Sequence, residues 1–333
     1  MAKKNNVNWL LVGTGDIAEK RVAPALSAAR NSGITALCDV SRNRAEEMAK
    51  AYGVSEVYTD FDKALAETSA NAVYLATPIF LHSAHTIKAL EAGKHVLVEK
   101  PLALNAKDAE EAVEAAKSKN LKAGCSYFRR FTPRYVHTQK MIDENVFGMI
   151  VLVRMTYFSW FNPEKDDPKY WRVVKAKSGG GPLSDMGSHM FDVLIGLLGM
   201  PKKVYAKAKT LVQPYEVEDS SVILMEYENG ADVVATFNWN SKTWSHEFEI
   251  IGTEAKVKWH PYDSGPIVQT IGRNIKQIDA PGAENVHLPL VEDFVDAVLQ
   301  DRNPIVTLQE AAKTNILLDA VYKSTETKQE IVI

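Results

Sequence analysis

Cysteine is scarce: the 333 residues carry two, Cys38 and Cys125, each inside or beside an apolar run. That excludes a disulfide framework, and no Cys/His cluster has metal-ligand spacing, so no metal site is expected. Two buried, reduced thiols suit a cytoplasmic protein. Charge of one sign is also missing. Lysine and arginine number 39 against 42 acidic residues, interspersed, for a net charge of −3. This balance argues against nucleic acid or a membrane surface as the main partner. No apolar run approaches the roughly 20 residues that a membrane-spanning helix needs. The segment Met1 to Asn6 is basic and polar, and the apolar run after it is short and ends in glycine, so a signal peptide is not expected. Repeats and low-complexity stretches are absent as well. What remains is an ordinary globular composition, 46% hydrophobic, long enough for two domains with a core each.

The first half alternates strand and helix. Val7 to Val12 is a short, nearly continuous apolar run, the pattern of a buried parallel strand. It leads into Gly13-Thr14-Gly15-Asp16-Ile17-Ala18 and then a helical stretch. In such a turn the first glycine permits the tight bend and the second lets a pyrophosphate approach the backbone. The small third residue lets helix and strand pack, and the anion rests on the helix N-terminus. Pro24 should kink or split that helix. A second strand, Ile34 to Val40, carries Asp39 at its end, 21 residues past Ala18, where a carboxylate binds the adenosine ribose hydroxyls. Asp39 favours NAD, whereas Ser41 and Arg42 could hold the extra phosphate of NADP, so NAD is the expected cofactor and NADP the alternative. Further strands fall at Ala72–Ala76, His95–Val98 and Lys122–Ser126, between helices at Arg42–Tyr52, Ala64–Thr68, His82–Ala92 and Asp108–Lys117. The fold class is therefore α/β with a doubly wound parallel sheet, which binds ligands at the carboxyl ends of its strands. Thr77-Pro78 and Glu99-Lys100-Pro101 fall at such ends. Lys100 there could hydrogen-bond a substrate alcohol and lower its pKa. His82, just past the Thr-Pro turn, is a candidate cofactor contact.

The second half is rich in strands, at Met149–Phe158, Lys203–Leu211, Ser221–Tyr227, Ala231–Asn238, Glu247–Ile251 and Ala255–Trp259. Asn229-Gly230 is a strong hairpin turn. Leu288–Leu299 and Leu308–Lys323 read as amphipathic helices. Between these lies Gly179-Gly-Gly-Pro-Leu-Ser-Asp-Met-Gly-Ser-His-Met-Phe-Asp192. Read as one helix, Asp185, His189 and Asp192 share a face at i, i+4 and i+7, the first two offset by about 6 Å along the axis. A carboxylate and an imidazole on one ridge can present acid–base chemistry to a ligand, although a wet helix face would look the same. Trp160, Phe161, Tyr170 and Trp171 cluster just before it and suit either a sugar ring or core packing.

Taken together the motifs resemble the glucose–fructose oxidoreductase, inositol dehydrogenase and rhizopine-catabolism family. The matching pieces are Gly-Thr-Gly-Asp-Ile-Ala at 13–18, Ala-Thr-Pro at 76–78 with His82, and Glu-Ala-Gly-Lys-His-Val-Leu-Val-Glu-Lys-Pro at 91–101. Arg-Arg-Phe at 129–131, Trp-Arg at 171–172 and the glycine-led segment 179–192 follow in the family's order. The resemblance implies an N-terminal Rossmann domain, 1–126, and a C-terminal α+β domain, 127–333, with a large, mostly antiparallel open sheet. One face of that sheet would serve homodimer or homotetramer assembly. It implies Lys100, Asp185 and His189 as the catalytic set, with Trp171 and Arg172 near the nicotinamide or substrate. The expected cofactor contacts are Gly13, Thr14, Gly15, Asp16, Ile17, Asp39, Ser41, Arg42, Thr77, Pro78, His82, Glu99, Lys100, Trp171 and Arg172. The expected substrate contacts are Lys100, Trp160, Trp171, Asp185 and His189, together with Tyr127, which has no clear family counterpart. Many relatives carry asparagine directly after Thr-Pro, where this chain has Ile79.

The expected activity is hydride transfer between a nicotinamide and a hydroxyl or keto carbon of a sugar, sugar derivative or cyclitol. Two alternatives remain open: transient oxidation by retained NAD that drives glycosidic-bond cleavage, and a non-catalytic NAD-binding regulatory role.

Overall fold

The computed structural model describes residues 6–333; most of the N-terminal tip read above for a leader lies outside the described residues. The chain divides into two compact units. One comprises Met1–Phe128 with Ala283–Ala312, the other Arg129–Gly282 with Lys313–Ile333. Residues 283–312 thus belong with the first unit, although the sequence division assigned everything after residue 126 to the second. The reason is packing. Helix Leu288–Leu299 buries Val291, Phe294 and Val295 in the same core as Trp9 and Leu11, and the Phe294 and Trp9 rings lie 5.5 Å apart.

The first unit is a six-stranded sheet in the order β3-β2-β1-β4-β5-β6. Its strands are β1 (Val7–Val12), β2 (Ser32–Cys38), β3 (Glu56–Tyr58), β4 (Ala72–Leu75), β5 (His95–Val98) and β6 (Ala123–Cys125), and every pairing is parallel. The chain winds outward from β1 to β3, returns to β4 and winds to β6, so the order reverses between β1 and β4. This is the switch point at which doubly wound sheets bind ligands, outside the carboxyl ends of the strands. Both faces are covered, which is why β1 and β4 read as continuous apolar runs. β2 stops at Cys38, so Asp39 falls just beyond the strand and not within it. At Pro24 the first helix changes winding without ending: a π-helical turn, Ala18–Val22, runs directly into an α-helix, Ala23–Ala28, with Val22 and Ala23 both in helical conformation. Cys38 and Cys125 are both buried and neither is in a disulfide, and burial pushes the Cys38 thiol up to about 12.

The second unit is a nine-stranded sheet in the order β14-β13-β12-β11-β7-β10-β9-β8-β15. Its strands are β7 (Ile150–Trp160), β8 (Lys203–Lys209), β9 (Ser220–Glu226), β10 (Asp232–Asn238), β11 (Asn240–Gly252), β12 (Ala255–Trp259), β13 (Ile267–Ile271), β14 (Asn274–Ile278) and β15 (Ile331–Val332). All pairings are antiparallel except β7 with β10. One face is core: Val153, Met155, Ile223, Met225, Val233, Phe237 and Phe248 pack there with Phe191, Leu194 and Leu317. Each side chain of this size contributes roughly 1.5–3 kcal/mol when fully buried. Val222, Leu224 and Val234 point to the other face and remain 52%, 49% and 38% exposed. The hairpin β13–β14 escaped the sequence reading because β14 is an almost wholly exposed edge strand with no apolar alternation. Helix Pro133–Asp143 escaped it as well; it is marked by a Thr132 cap and proline in its first turn, not by an apolar stripe. Among the described residues no helix is long and apolar enough to cross a membrane.

Candidate active site

The glycine turn follows β1 directly. Gly13 adopts φ +89°, and a Cβ there would lie 2.6 Å from the Ala76 carbonyl oxygen, so close approach to the end of β4 admits only glycine. Gly15 is different: a Cβ there would meet nothing within 4 Å. The first glycine serves the fold, and the second leaves an open approach to the backbone. Ile17 is exposed, and Asp16 pairs with Lys20 on the surface. Asp39 faces the turn. Its Oδ2 accepts the Thr14 N–H at 2.7 Å and the Thr14 hydroxyl at 3.0 Å, and its Oδ1 accepts the Ser41 N–H at 2.8 Å. Burial alone would raise this carboxyl, but those bonds and the nearby Arg44 hold it below the usual carboxylate range. Arg42, the arginine expected to address a phosphate, bonds Glu46 at 2.8 Å and is mostly exposed. Arg44 stands beside Asp39 instead, with Nη2 3.2 Å from Oδ1. Only its place two residues further on distinguished it in the sequence.

At the end of β4, Thr77 Oγ1 is buried with no hydrogen-bond partner among the described residues, and Pro78 caps a short 3-10 turn, Ile79–Leu81. His82 does not present a free nitrogen to a cofactor. Nδ1 lies 2.8 Å from the Pro101 carbonyl and Nε2 2.8 Å from the Thr77 carbonyl, with the ring 1% exposed. Glu99 also turns inward: it accepts the Tyr74 hydroxyl at 2.7 Å and meets His287 Nε2 at 3.1 Å. Its burial would raise the carboxyl, yet the bonds from His287 and Tyr74 and the charge of Lys100 bring it down to about 2. Both side chains are thus engaged in internal bonds. Tyr127 is fully buried, with no surface for a substrate. Lys100 follows Glu99 just past the end of β5, at the same carboxyl edge as the glycine turn.

In the second unit the stretch Gly179–Asp192 is not one α-helix. Leu183–Gly187 forms a π-helical turn, closed by the Ser188 N–H on the Leu183 carbonyl, and Ser188–Leu198 continues as α-helix. The glycines before it answer to packing. A Cβ at Gly180 would overlap the Tyr322 hydroxyl, and one at Gly181 the Glu218 carbonyl. Glu218, buried, caps the turn: Oε1 accepts the N–H groups of Gly181 at 2.9 Å and Leu183 at 3.2 Å and the Tyr322 hydroxyl at 3.2 Å. Burial raises this carboxyl despite those bonds. Glu218 and Tyr322 act from 35 or more residues away, with no local signal in the sequence.

The polar residues of the stretch part company. Asp192 is fully buried and clasped by Arg130, with Nη2 2.7 Å and Nε 3.0 Å from Oδ1. Gly196 leaves room for that guanidinium, since a Cβ would lie 2.9 Å from Arg130 Cζ. Asp185 is partly exposed and meets Arg172 Nη1 at 3.4 Å. Arg172 Nε is buried without a hydrogen-bond partner among the described residues. His189 is 7% exposed and is the second residue of the α-helix that follows the turn. Of the aromatic cluster, Phe161 and Tyr170 pack around Trp239 as a small core. Trp160 stays 44% exposed under Lys242 Nζ, and Trp171 is half-buried beneath the Arg172 guanidinium at 5.7 Å.

A glycine turn, a buried ionised aspartate beyond the next strand and an orphaned hydroxyl at the switch point fit a dinucleotide, and they place the first unit in the nucleotide-binding Rossmann class. Comparison with known proteins agrees. Residues 7–127 match the oxidoreductase family with an NAD-binding Rossmann fold, and residues 135–258 match the GFO/IDH/MocA C-terminal domain. The chain belongs to the GFO/IDH/MocA family of oxidoreductases and binds NAD through its first unit. It is 26% identical over 318 residues to oxidoreductase P35 of Formosa agariphila, covering 95% of this chain and 98% of that one. It is 26% identical over 343 residues to D-glucoside 3-dehydrogenase of Escherichia coli, covering 95% of each. Levoglucosan dehydrogenase in complex with NADH and levoglucosan has the same fold, with a TM-score of 0.89 at 22% identity over 98% of this chain and 99% of that one.

Proposed function

We propose that the protein is an NAD-dependent dehydrogenase or reductase acting on a CH–OH group of a sugar, sugar derivative or cyclitol. The observation that carries the reading is the placement of Lys100 at the carboxyl edge that also bears the glycine turn and Asp39. Names of relatives such as levoglucosan dehydrogenase, D-glucoside 3-dehydrogenase and scyllo-inositol 2-dehydrogenase point to the substrate class. The nicotinamide, when bound, supplies the hydride-accepting carbon. Gly15 gives the pyrophosphate access, and Asp39, kept ionised, accepts the ribose hydroxyls. Lys100 hydrogen-bonds the substrate oxygen and stabilises charge developing on it. His189 takes the hydroxyl proton as the carbon yields its hydride, and gives it back in reduction. Asp185 and Arg172 orient the substrate, and Trp160 and Trp171 offer ring faces to its C–H bonds.

The same ionised Asp39, with Arg44 already engaged by it, favours NAD over NADP. Assembly as a homodimer or homotetramer through the open sheet face fits the exposed Val222, Leu224 and Val234, of which Leu224 and Val234 are cross-strand partners. Two buried thiols outside any disulfide fit a cytoplasmic location.

The test is absorbance at 340 nm with NAD and NADP against aldoses, inositols, anhydro sugars and glycosides. NADH formation with one class, lowered about 1,000-fold in Lys100→Met and His189→Ala at unchanged NAD affinity, is the expected result. Near-normal turnover in either variant would refute the catalytic assignment. Release of a free sugar from a glycoside without net NADH would point to the transient-oxidation chemistry instead.

A further inference from the structure

Lys100 sits between two residues that the fold holds from opposite sides. On one side Glu99 is buried and gathers bonds from three directions. The Tyr74 hydroxyl of β4 donates at 2.7 Å, His287 Nε2 at the head of helix Leu288–Leu299 lies at 3.1 Å, and the Lys100 N–H at 3.3 Å. Ser126 Oγ, just past β6, lies 3.0 Å from the Tyr74 hydroxyl and extends the network. His287 is 2% exposed, its Nδ1 has no hydrogen-bond partner among the described residues, and its ring stacks on Phe128 at 5.2 Å. Nε2 is thus the nitrogen that carries the proton, donated to a carboxylate that stays ionised. On the other side the Pro101 carbonyl meets His82 Nδ1 at 2.8 Å, while Nε2 of the same ring reaches the Thr77 carbonyl at 2.8 Å. Both partners are carbonyl acceptors, and burial pushes this imidazole below its ordinary value, so the neutral ring donates to only one of the two and packs against the other.

We infer that His287, through Glu99, is a positioning residue that fixes the main chain carrying Lys100. A lysine needs such a support. Its four-carbon stem is flexible, so the placement of its ammonium is only as good as that of its backbone. A misplacement of about 1 Å at a catalytic group costs roughly 100-fold in rate. His287 is 188 residues from Glu99 and in no motif, which is why it looks like an incidental helix-start histidine in the sequence.

The inference rests on the catalytic reading of Lys100, and its test separates the two. Full-length His287→Leu, His287→Gln and Lys100→Met, and each His287 change combined with Lys100→Met, are assayed with NAD and the fastest sugar of the panel above. For His287→Leu, kcat falls about 30-fold or more while the NAD dissociation constant changes less than about 2-fold. His287→Gln, whose amide can still donate to Glu99, recovers most of that loss. In the Lys100→Met background, His287→Leu lowers the residual rate less than about 2-fold, because a positioning residue has nothing left to position. An equal loss in both backgrounds, or wild-type kcat in folded His287→Leu, overturns the inference. Should His287→Leu not fold, Tyr74→Phe removes one Glu99 bond at nearly constant volume and is judged by the same two criteria. Wild-type turnover in Lys100→Met overturns the catalytic reading itself. If no sugar of the panel is oxidised, the crystal structure of His287→Leu decides: main chain at residues 99–101 that does not move sinks the brace, and a displacement there with an unmoved Gly13–Gly15 turn upholds it.

Discussion

The two units hold their candidate polar groups in different ways. In the first, the carboxylates are interior and multiply bonded. Asp39 takes bonds from Thr14, Ser41 and Arg44, Glu99 from Tyr74 and His287, and both are held below the usual carboxylate range. In the second, Asp185 is partly exposed and meets Arg172 at 3.4 Å, while the rigid bonds lie behind it, at Glu218 and at the Arg130–Asp192 pair. The first unit presents a fixed, preorganised cradle. The second presents an adjustable edge on a fixed support. A cofactor common to many enzymes suits the former and a substrate that differs between relatives suits the latter.

The sharpest way to break this contrast lies in the glycines. Gly13→Ala forces a Cβ against the Ala76 carbonyl in a left-handed backbone, and Gly181→Ala forces one against the Glu218 carbonyl. Each is expected to lower unfolding free energy by about 3 kcal/mol or more, read in urea. Gly15→Ala, which meets nothing, is expected to change stability by less than about 0.5 kcal/mol and to weaken NAD binding, read by fluorescence titration, about 10-fold. Equal destabilisation by Gly13→Ala and Gly15→Ala would sink the division between structural and ligand-facing glycines.

These glycines also mark how far the sequence could be read. The turn at 13–18 was legible because its meaning is local: strand, glycine, helix and the acidic residue after the next strand follow in order. The helices Arg42–Tyr52 and Leu288–Leu299 and the strand Ala255–Trp259 stand at their expected bounds, since apolar periodicity and clear stops define them. Gly180 and Gly181 make room for Tyr322 and Glu218, brought from elsewhere in the chain, and nothing beside them in the sequence marks that role. The single helical face for Asp185, His189 and Asp192 assumed α geometry, and the π turn changes it. His82 and Glu99 belong to recognisable motifs, but their bonds run to carbonyls, a tyrosine and a distant histidine that no motif spells out. Local chemistry was legible; partners chosen by tertiary packing were not.

Next in size is the ion pair beneath the second unit's edge. Asp192 is wholly buried on Arg130, so Asp192→Asn or Arg130→Met leaves a charge without its partner and is expected to cost about 3–5 kcal/mol. Arg172→Gln, one partner of a partly exposed pair, is expected to cost about 1 kcal/mol while raising KM for the sugar. If Arg172→Gln proved as destabilising as Asp192→Asn, the adjustable edge would be part of the support.

Acid acts in two windows, of which the upper draws on both units. Burial among Tyr157, Trp244 and Tyr262 pushes His246 down to about 4 from 6.5, although Asp263 opposes it. Below pH 6.5 the unfolded chain takes a proton that the folded one refuses, so stability falls as pH drops from 6.5 to 4. His246 alone accounts for roughly 3 kcal/mol of that loss. His85 of the first unit, also lowered to about 4, adds to the same window. Glu99, folded at about 2 against an ordinary 4.5, contributes stability that is present above pH 4.5 and lost between 4.5 and 2. His246→Phe is expected to remove about half of the fall in urea stability between pH 6.5 and 4 and to leave the fall from Glu99 below 4.5 in place. An unchanged slope across the upper window would remove His246 as its source.

The smallest effect tests the cradle itself. Arg44 lies 3.2 Å from Asp39 and half in solvent, and Arg42 is turned to Glu46. If Asp39 sets the cofactor preference, Arg44→Gln removes a cation that could rotate toward a 2′-phosphate and also one that partly neutralises the carboxylate. Both changes act against NADP, because the phosphate loses an attraction and meets a less screened anion. The ratio of kcat/KM for NAD over NADP is expected to rise about 3- to 10-fold in Arg44→Gln, on the order of 1 kcal/mol, and to stay within about 2-fold in Arg42→Gln. The reverse ranking would move the phosphate-side contact back to Arg42 and show that its bond to Glu46 gives way when the cofactor is bound. A fall in the ratio for Arg44→Gln would mean that Arg44 serves NAD by holding Asp39 in place, and the fixed cradle would then depend on a residue at its exposed rim.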